Sequence, residues 1–395
     1  MKKNATDFKI GNKKVLLRCD FNVPINDEGV IEDDTRIKQS LETIEFLING
    51  RAKVIILSHL GRVKEESDKA KLTLKPVCDK LNEYLYKPAK FIPFTQGREV
   101  EEAINNMEPG DVIMLENTRF EDLNENAESG NDLALAKYWA SLGDIFINDA
   151  FATLHRSHAS NVGIASLIPS GMGFLVMKEV EKFQKTLSKP KRPLVVILGG
   201  AKVSDKIDAI RYLVNIADCI LIGGGMPFTF YKALGYKVGL SVVDDSSLEF
   251  CRDIYKRYSN KIYLPEDVVV ASSISEGAST RNTSYRDIRE NDIGVDIGVA
   301  TISRYKTILK AAETIIWNGP VGMFEMSRFS KGTRNVVEIL DTCKANMIIG
   351  GGDTVSALNK FMFKNKDAFI STGGGASLKM LEGKELPGYA VLRDK

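Results

Sequence analysis

Three histidines and four arginines carry the chemistry of the first half of the chain. His59, His155 and His158 are the only histidines among 395 residues, and all follow short apolar runs. Arg18, Arg62, Arg119 and Arg156 occupy the same kind of position. Guanidinium forks match the oxygens of carboxylate and phosphate groups, so the set reads as a pocket for a small anion bearing such groups. Metal binding is the poorer reading, since His155-x-x-His158 lacks a supporting carboxylate or thiol set. A nucleic-acid surface would call for interleaved aromatics, and the formal net charge is only +2.

The second half offers glycine and lysine instead. Residues 193–210 run from an apolar stretch, Leu194 to Leu198, through Gly199 and Gly200 into a pattern that turns helical after Val203. Lys202 and Lys206 are four apart, so a helix starting there would project them from one side. Free N–H groups, the helix dipole and two cations together suit a phosphate. An ordinary strand-to-helix turn with solvated lysines is the competing reading. Further glycine turns follow apolar runs at Gly223-Gly224-Gly225-Met226, Asn318-Gly319-Pro320, Gly350-Gly351-Gly352-Asp353-Thr354 and Gly373-Gly374-Gly375. Several such turns on one edge bring backbone N–H groups to phosphates. Neither a Walker-type loop nor a G-x-G-x-x-G after a strand is present, which argues against P-loop enzymes, dinucleotide dehydrogenases and protein kinases.

Positioning these groups requires alternating elements. Val15–Leu17, Val54–Leu57, Val112–Leu115 and Ile145–Ile147 read as buried strands, with helical patterns at 36–47, 74–84 and 132–142 between them. Alternation implies a parallel sheet with helices on both faces, and ligands bind beyond the carboxyl ends of such strands. An amphipathic pattern at 171–187, bounded by Pro169 and by Pro190 and Pro193, predicts a stiff connecting helix. A chain this long exceeds what one core usually supports, so two domains are expected. An apolar fraction of 44% and a charged fraction of 27% are those of a soluble globular protein. Five scattered cysteines without a C-x-x-C pair suit reduced thiols in a cytoplasmic protein. The N-terminus lacks a signal or transit pattern, and no apolar run approaches the roughly 18 residues of a membrane span. The two chemistries suggest two anionic substrates, one per domain, with phosphoryl transfer in a cleft between them. The residues alone leave the acceptor open.

Ordered motifs along the whole chain extend this reading. They are Arg18-Cys19-Asp20-Phe21-Asn22-Val23-Pro24, Asp34-Thr35-Arg36, Ser58-His59-Leu60-Gly61-Arg62, Leu115-Glu116-Asn117-Thr118-Arg119-Phe120 and Asn148-Asp149-Ala150-Phe151 in the first half. Gly199-Gly200-Ala201-Lys202-Val203-Ser204-Asp205-Lys206, Trp317-Asn318-Gly319-Pro320, Gly350-Gly351-Gly352-Asp353-Thr354 and Ser371-Thr372-Gly373-Gly374-Gly375-Ala376-Ser377 follow in the second. With these motifs the chain resembles the phosphoglycerate kinase family over essentially its full length. The resemblance implies an α/β fold of two Rossmann-like three-layer (αβα) domains with parallel sheets, separated by a cleft and joined by a helix. Residues 1–170 would bind 3-phosphoglycerate, 171–187 connect, 188–377 bind nucleotide, and about 378–395 pack back on the first domain.

Roles carry over residue by residue. Asp20, Phe21, Asn22, Arg36, His59, Leu60, Gly61, Arg62, Arg119 and Arg156 match the site for 3-phosphoglycerate or 1,3-bisphosphoglycerate, and Arg18, His155 and His158 the surrounding basic patch. Gly200, Ala201, Lys202, Lys206, Gly223, Gly224, Gly225, Met226, Gly294, Asn318, Pro320, Glu325, Gly351, Gly352, Asp353 and Thr354 match the site for ATP or ADP. Asp353 matches the residue that meets nucleotide-bound magnesium, and Glu325 the acid that holds the ribose. Arg36, Lys202, Lys206 and Gly352 match the catalytic set, Arg36 and Lys202 meeting the transferring phosphoryl from opposite sides. Val63, Ala152, Leu154, Pro227 and Val299 depart from the family's usual residues. None removes a charged or phosphate-contacting position, though Leu154 adjoins His155.

The resemblance also implies a monomer that closes its domains before transfer. The acceptor carboxylate is ionised at neutral pH, so no general base is needed. What must be overcome is the repulsion of several negative charges. A nucleotide-binding scaffold without catalysis and a kinase for a different small acid are the alternatives, and a substrate panel separates them.

Overall fold

The computed structural model describes residues 1–26 and 28–395. The chain divides into two compact units, one made of Met1–Lys182 with Glu385–Lys395 and the other of Phe183–Lys384. Both are mixed α/β units built on a six-stranded parallel sheet.

The first unit contains β1 (Lys14–Arg18), β2 (Lys53–Leu57), β3 (Lys90–Ile92), β4 (Val112–Leu115), β5 (Ile145–Asn148) and β6 (Ser170–Met172), in the spatial order β3-β4-β2-β1-β5-β6. Val15, Leu16 and Leu17 are fully buried, as a central strand covered on both faces requires. The helix Thr35–Asn49 buries Ile37, Ser40, Thr43, Ile44 and Leu47, a three-to-four spacing that turns one stripe to the sheet. Chain order reverses at β1, whose neighbours are β2 and β5, and such a switch point opens a crevice at the strand ends. Arg18 lies level with Leu57 and with Asn148, so the segments after these strands emerge side by side.

The connecting helix spans Phe174–Ser188, three residues later than the periodicity predicts. Residues 170–172 instead pair with β5 as an edge strand. Gly173 then sits against Asp149, where a Cβ atom would fall 2.2 Å from its Oδ1. That carboxylate accepts from the N–H groups of Leu175 at 2.9 Å and Val176 at 3.3 Å, which marks where the helix begins.

The second unit contains β7 (Leu194–Leu198), β8 (Cys219–Ile222), β9 (Ile262–Tyr263), β10 (Asp267–Ala271), β11 (Thr280–Ser284), β12 (Ile293–Ile297), β13 (Thr314–Asn318), β14 (Asn346–Gly350) and β15 (Phe369–Ser371). Its parallel sheet runs β15-β14-β13-β7-β8-β9, with Asn318 level with both Leu198 and Gly350. Glycine turns therefore leave neighbouring strands at one height. A separate antiparallel sheet, β11-β10-β12, is absent from the strand pattern read off the sequence.

The C-terminal crossing falls later than position 378. The helix Gly375–Leu381 packs on the helix Ile207–Ile216, and Lys384 pairs with Asp208 and Glu382, all within the second unit. Only from Glu385 onward does the chain belong to the first unit, where Gly388 donates to the carbonyl of Leu154 at 2.9 Å and Lys395 to that of Met1 at 2.9 Å. Leu154 is itself fully buried. Val299 opens a helix and its N–H finds Asn282 Oδ1 at 3.1 Å, a donor that a proline there would lack.

Candidate active site

In the first unit the level strand ends bring the expected cations together. Asp20, just past β1, pairs with Arg36 on the first turn of its helix. Arg119 is nearly buried and donates to Asp122 Oδ2 at 2.8 Å. Arg62 is exposed and Arg156 half-buried. Their proximity registers electrostatically: burial, then Arg119 and Arg62, lower the pKa of the Arg156 guanidinium. Like charges gathered this way suit an anionic ligand.

Backbone geometry sets the remaining positions. Gly61 adopts φ 62° and donates to Asn22 Oδ1 at 2.8 Å, so one tight turn links two strand ends. Asn117 accepts from Leu60 N–H at 3.2 Å and donates to the carbonyls of Leu60 and Leu72. Phe21 and Leu60 point into the interior and shape the loops from behind.

The histidines and Arg18 differ from an open basic patch. Arg18 is fully buried, bonded through Nε to Ser160 Oγ at 2.8 Å and through Nη2 to His59 Nδ1 at 3.2 Å. Burial, followed by Arg18, Arg119, His158 and Arg36, pushes the His59 pKa well below the ordinary value. Burial and the charges of Arg119, Arg18 and Arg156 push His158 down to about 3. Both shifts favour the neutral ring, so the positive charge around His59 and His158 comes from the arginines. His155 accepts from Arg156 Nε at 3.1 Å, one step along the same loop.

In the second unit the α-helix begins at Ile207, after both lysines. The expected pairing of Lys202 and Lys206 on one helical face does not form. Val203 is buried, Ser204–Lys206 make a 3-10 turn, and Lys206 has φ −126°, outside the helical region. Asp244 Oδ2 accepts from Ser204 N–H at 2.8 Å and holds that turn, and its hydrogen bonds keep its carboxyl well below the usual range despite the opposing desolvation. Lys202 is left exposed on the loop. Lys206 reaches inward to Asn318 Oδ1, and desolvation lowers its pKa.

The glycine turns interlock. Gly225 donates to the carbonyl of Gly200 at 2.8 Å, Gly224 to that of Val321 at 2.8 Å and Gly223 to that of Leu198 at 2.9 Å. A Cβ on Gly199 would fall 1.9 Å from the Pro320 carbonyl oxygen, so only glycine lets these segments approach. Gly351 adopts φ 102° ahead of the helix Gly352–Lys360, whose N-terminus has no side-chain cap. Its first N–H groups therefore lack a side-chain cap, as suits an anion site. Thr354 turns inward and accepts from Gly319 N–H at 2.7 Å.

A cavity of about 500 Å³ opens among these turns, lined by Gly200, Ala201, Gly224, Gly225, Gly294, Pro320, Glu325 and Asp353 of the expected set. Met226 and Asn318 are buried and do not line it. Gly322 and the apolar Val242, Ile274, Val295, Met323 and Met326 complete the lining, and sequence reasoning missed all six. The exposure of Val242 and Ile274, 47% and 52%, is a structural clue with no counterpart in local pattern. Apolar walls with two carboxylates suit a flat ring bearing hydroxyl groups and a charged tail.

Two α/β units on parallel sheets, one gathering arginines at its strand ends and one with a glycine-lined cavity beside a helix without a side-chain cap, have the features of a phosphotransferase. The phosphoglycerate kinase family model matches residues 5–384. The chain is 51% identical to the phosphoglycerate kinase of Enterococcus faecalis over 396 residues, covering 100% of both chains. It is 53% identical to that of Lacticaseibacillus casei over 393 residues, covering 99% of both. Among solved structures it resembles phosphoglycerate kinase from Coxiella burnetii with a TM-score of 0.89, 37% identity and coverage of 99% of this chain and 98% of the other. The chain belongs to the phosphoglycerate kinase family, and it is a nucleotide-using kinase of glycolysis.

Proposed function

We propose that this chain catalyses reversible transfer of a phosphoryl group between 1,3-bisphosphoglycerate and ADP, giving 3-phosphoglycerate and ATP. The carrying observation is the cluster of Arg36, Arg62, Arg119 and Arg156 at the strand ends of the first unit, in a protein whose other unit holds the nucleotide-sized cavity. On this reading 3-phosphoglycerate lies against Asn22, Arg36, His59, Arg62, Arg119 and Arg156. ADP or ATP lies in the cavity, with Glu325 toward the ribose and Gly351, Gly352 and Asp353 toward the phosphates.

Donor and acceptor occupy different units, so the units close before an in-line transfer. The acceptor carboxylate attacks already ionised, and no side chain needs to remove a proton. Arg36 and Lys202 then offset charge on the equatorial oxygens, while the first turn of Gly352–Lys360 and Lys206 hold the nucleotide phosphates.

The residues fit magnesium delivered with the nucleotide. Among the described residues no three His, Cys, Asp or Glu side chains form a metal cage. Asp353, exposed in the first turn of its helix, offers a single carboxylate, the usual protein share when phosphates supply the other ligands. When bound, magnesium supplies charge neutralisation at the phosphate oxygens. We also assign the chain to the cytoplasm as a monomer. Its five cysteines are all free and buried, and among the described residues no helix is long and apolar enough to cross a membrane.

A coupled assay of ATP consumption with magnesium, run with and without 3-phosphoglycerate, tests the proposal. Turnover that depends on the acid and disappears in Lys202→Ala supports it. ATP binding without turnover favours the scaffold, and turnover only with another acid favours a different acceptor.

A further inference from the structure

Behind the arginine pocket runs a buried set of charged groups that the transfer itself does not use. Arg18 is fully buried, yet each guanidinium nitrogen has a partner: Nε donates to Ser160 Oγ at 2.8 Å, Nη1 to the carbonyl of Cys19, and Nη2 to His59 Nδ1 at 3.2 Å. Glu128, also fully buried, lies 4.0 Å from Arg18 Nη2 and accepts from Ser160 N–H at 2.9 Å. A guanidinium has only N–H donors and no lone pair to offer. His59 Nδ1 must then present its own lone pair, which leaves the ring proton on Nε2.

We propose that Arg18, anchored by Glu128 and Ser160, is a positioning residue that fixes His59 as the neutral Nε2-protonated ring, so that His59 meets 3-phosphoglycerate as an uncharged hydrogen-bond donor. This rests on the assignment of that acid to the first unit.

The groups around the ring agree. Asp20 Oδ1 is 3.9 Å from Nδ1, beyond hydrogen-bond reach. Arg18, Arg119, His158 and Arg36 all oppose a second proton, as does burial. Glu128, the one fully buried carboxylate here, is engaged by Arg18 and by the backbone of Ser160. The pocket thus gains a donor whose state does not change as pH crosses neutrality.

The test is nitrogen-15 NMR of the full chain labelled at histidine. With three histidines, His155→Gln and His158→Gln assign the spectrum without touching His59. The expected result is a proton on Nε2, none on Nδ1 and no titration between about pH 5.5 and about pH 8. A proton on Nδ1, or a titration in that window, overturns the proposal using wild-type protein alone. Arg18→Met combined with Glu128→Gln removes both buried charges and leaves neither unpaired. In that variant the His59 signals should become those of exchanging tautomers, and KM for 3-phosphoglycerate should rise about tenfold with kcat within about twofold. Unchanged His59 signals overturn the role given to Arg18. Saturating 3-phosphoglycerate should shift Nε2 in the wild type. An unmoved Nε2 with the tautomer intact overturns the substrate contact and leaves the tautomer standing.

Discussion

Lys202 and Lys206 stand four residues apart and do different work. Lys206 is inward, desolvated and tied to Asn318, and on the proposed reading it holds nucleotide phosphates against the glycine turns. Lys202 is exposed on the loop before the helix, where it has reach and where truncation costs no packing. Arg36, assigned to the same transfer, belongs to the first unit and pairs with Asp20. Lys202→Ala and Arg36→Ala should each lower kcat about 100-fold or more, as loss of a group that meets transition-state charge does. Glu325→Ala should raise KM for ATP about tenfold with a smaller effect on kcat, since its contact is made equally in ground and transition states. Steady-state kinetics distinguish these patterns, and KM-only changes in all three variants would sink the assignment. The arginines were legible because a basic residue after an apolar run is a local signal. The burial of Arg18 was not, because Glu128 and Ser160 come from distant polar segments with no apolar period. The apolar cavity lining was hidden for the same reason, its five members being scattered from Val242 to Met326.

At the level of elements, glycine turns decide whether the strand ends can be brought level. In Gly199→Ala the new methyl group meets the carbonyl oxygens of Pro320 and Gly319 at 1.9 and 2.5 Å, both backbone atoms that cannot swing aside. The second unit should lose about 3 kcal/mol or fail to fold, readable as a lower urea midpoint. The start of the connecting helix gives a pH signature. Burial raises the Asp149 pKa to about 6, outweighing the stabilising hydrogen bonds from Thr43, Val176 and Leu175. An unfolded aspartate ionises near pH 4, so between about pH 4 and about pH 6 the folded state holds the extra proton, and stability falls as pH rises. Below that window the penalty is absent, and above it the full penalty is about 3 kcal/mol. Asp149→Asn keeps an acceptor for the helix N–H groups and removes the charge. It should unfold later than wild type at pH 8 and equal it near pH 4. Trp139 reports on the first unit alone once Trp317 is replaced by Phe. A wild-type slope retained in the variant would refute the assignment. Periodicity made most strands and helices legible. It placed the helix after β7 too early because Val203 is apolar at a helical spacing, yet its burial anchors a 3-10 turn. The antiparallel sheet escaped because β11, Thr280–Ser284, is polar and reads as loop.

At the scale of the whole molecule, the assigned chemistry places a demand that neither unit meets alone. The acid is assigned to residues of Met1–Lys182 and the nucleotide to residues of Phe183–Lys384, and the division between the two falls within the helix Phe174–Ser188. Transfer requires the carboxylate oxygen and the γ-phosphorus to come within about 3–3.5 Å in line. It also requires water to be excluded, or ATP would be hydrolysed. Either substrate alone offers contacts to one unit only, so it has no differential affinity for a closed arrangement. On the proposed mechanism, both together add the neutralisation of phosphoryl charge by Arg36 and Lys202 at once, and closure is the step assigned to provide it. Small-angle scattering should therefore show a smaller radius of gyration with 3-phosphoglycerate and the magnesium complex of a non-hydrolysable ATP analogue present together than with either alone. The same comparison in Arg36→Ala with Lys202→Ala should show a weaker compaction at equal site occupancy. Equal radii in all ligand states of the wild type would refute closure as the step that joins the two sites. Full compaction in the double variant would instead show that contacts other than these two cations drive it.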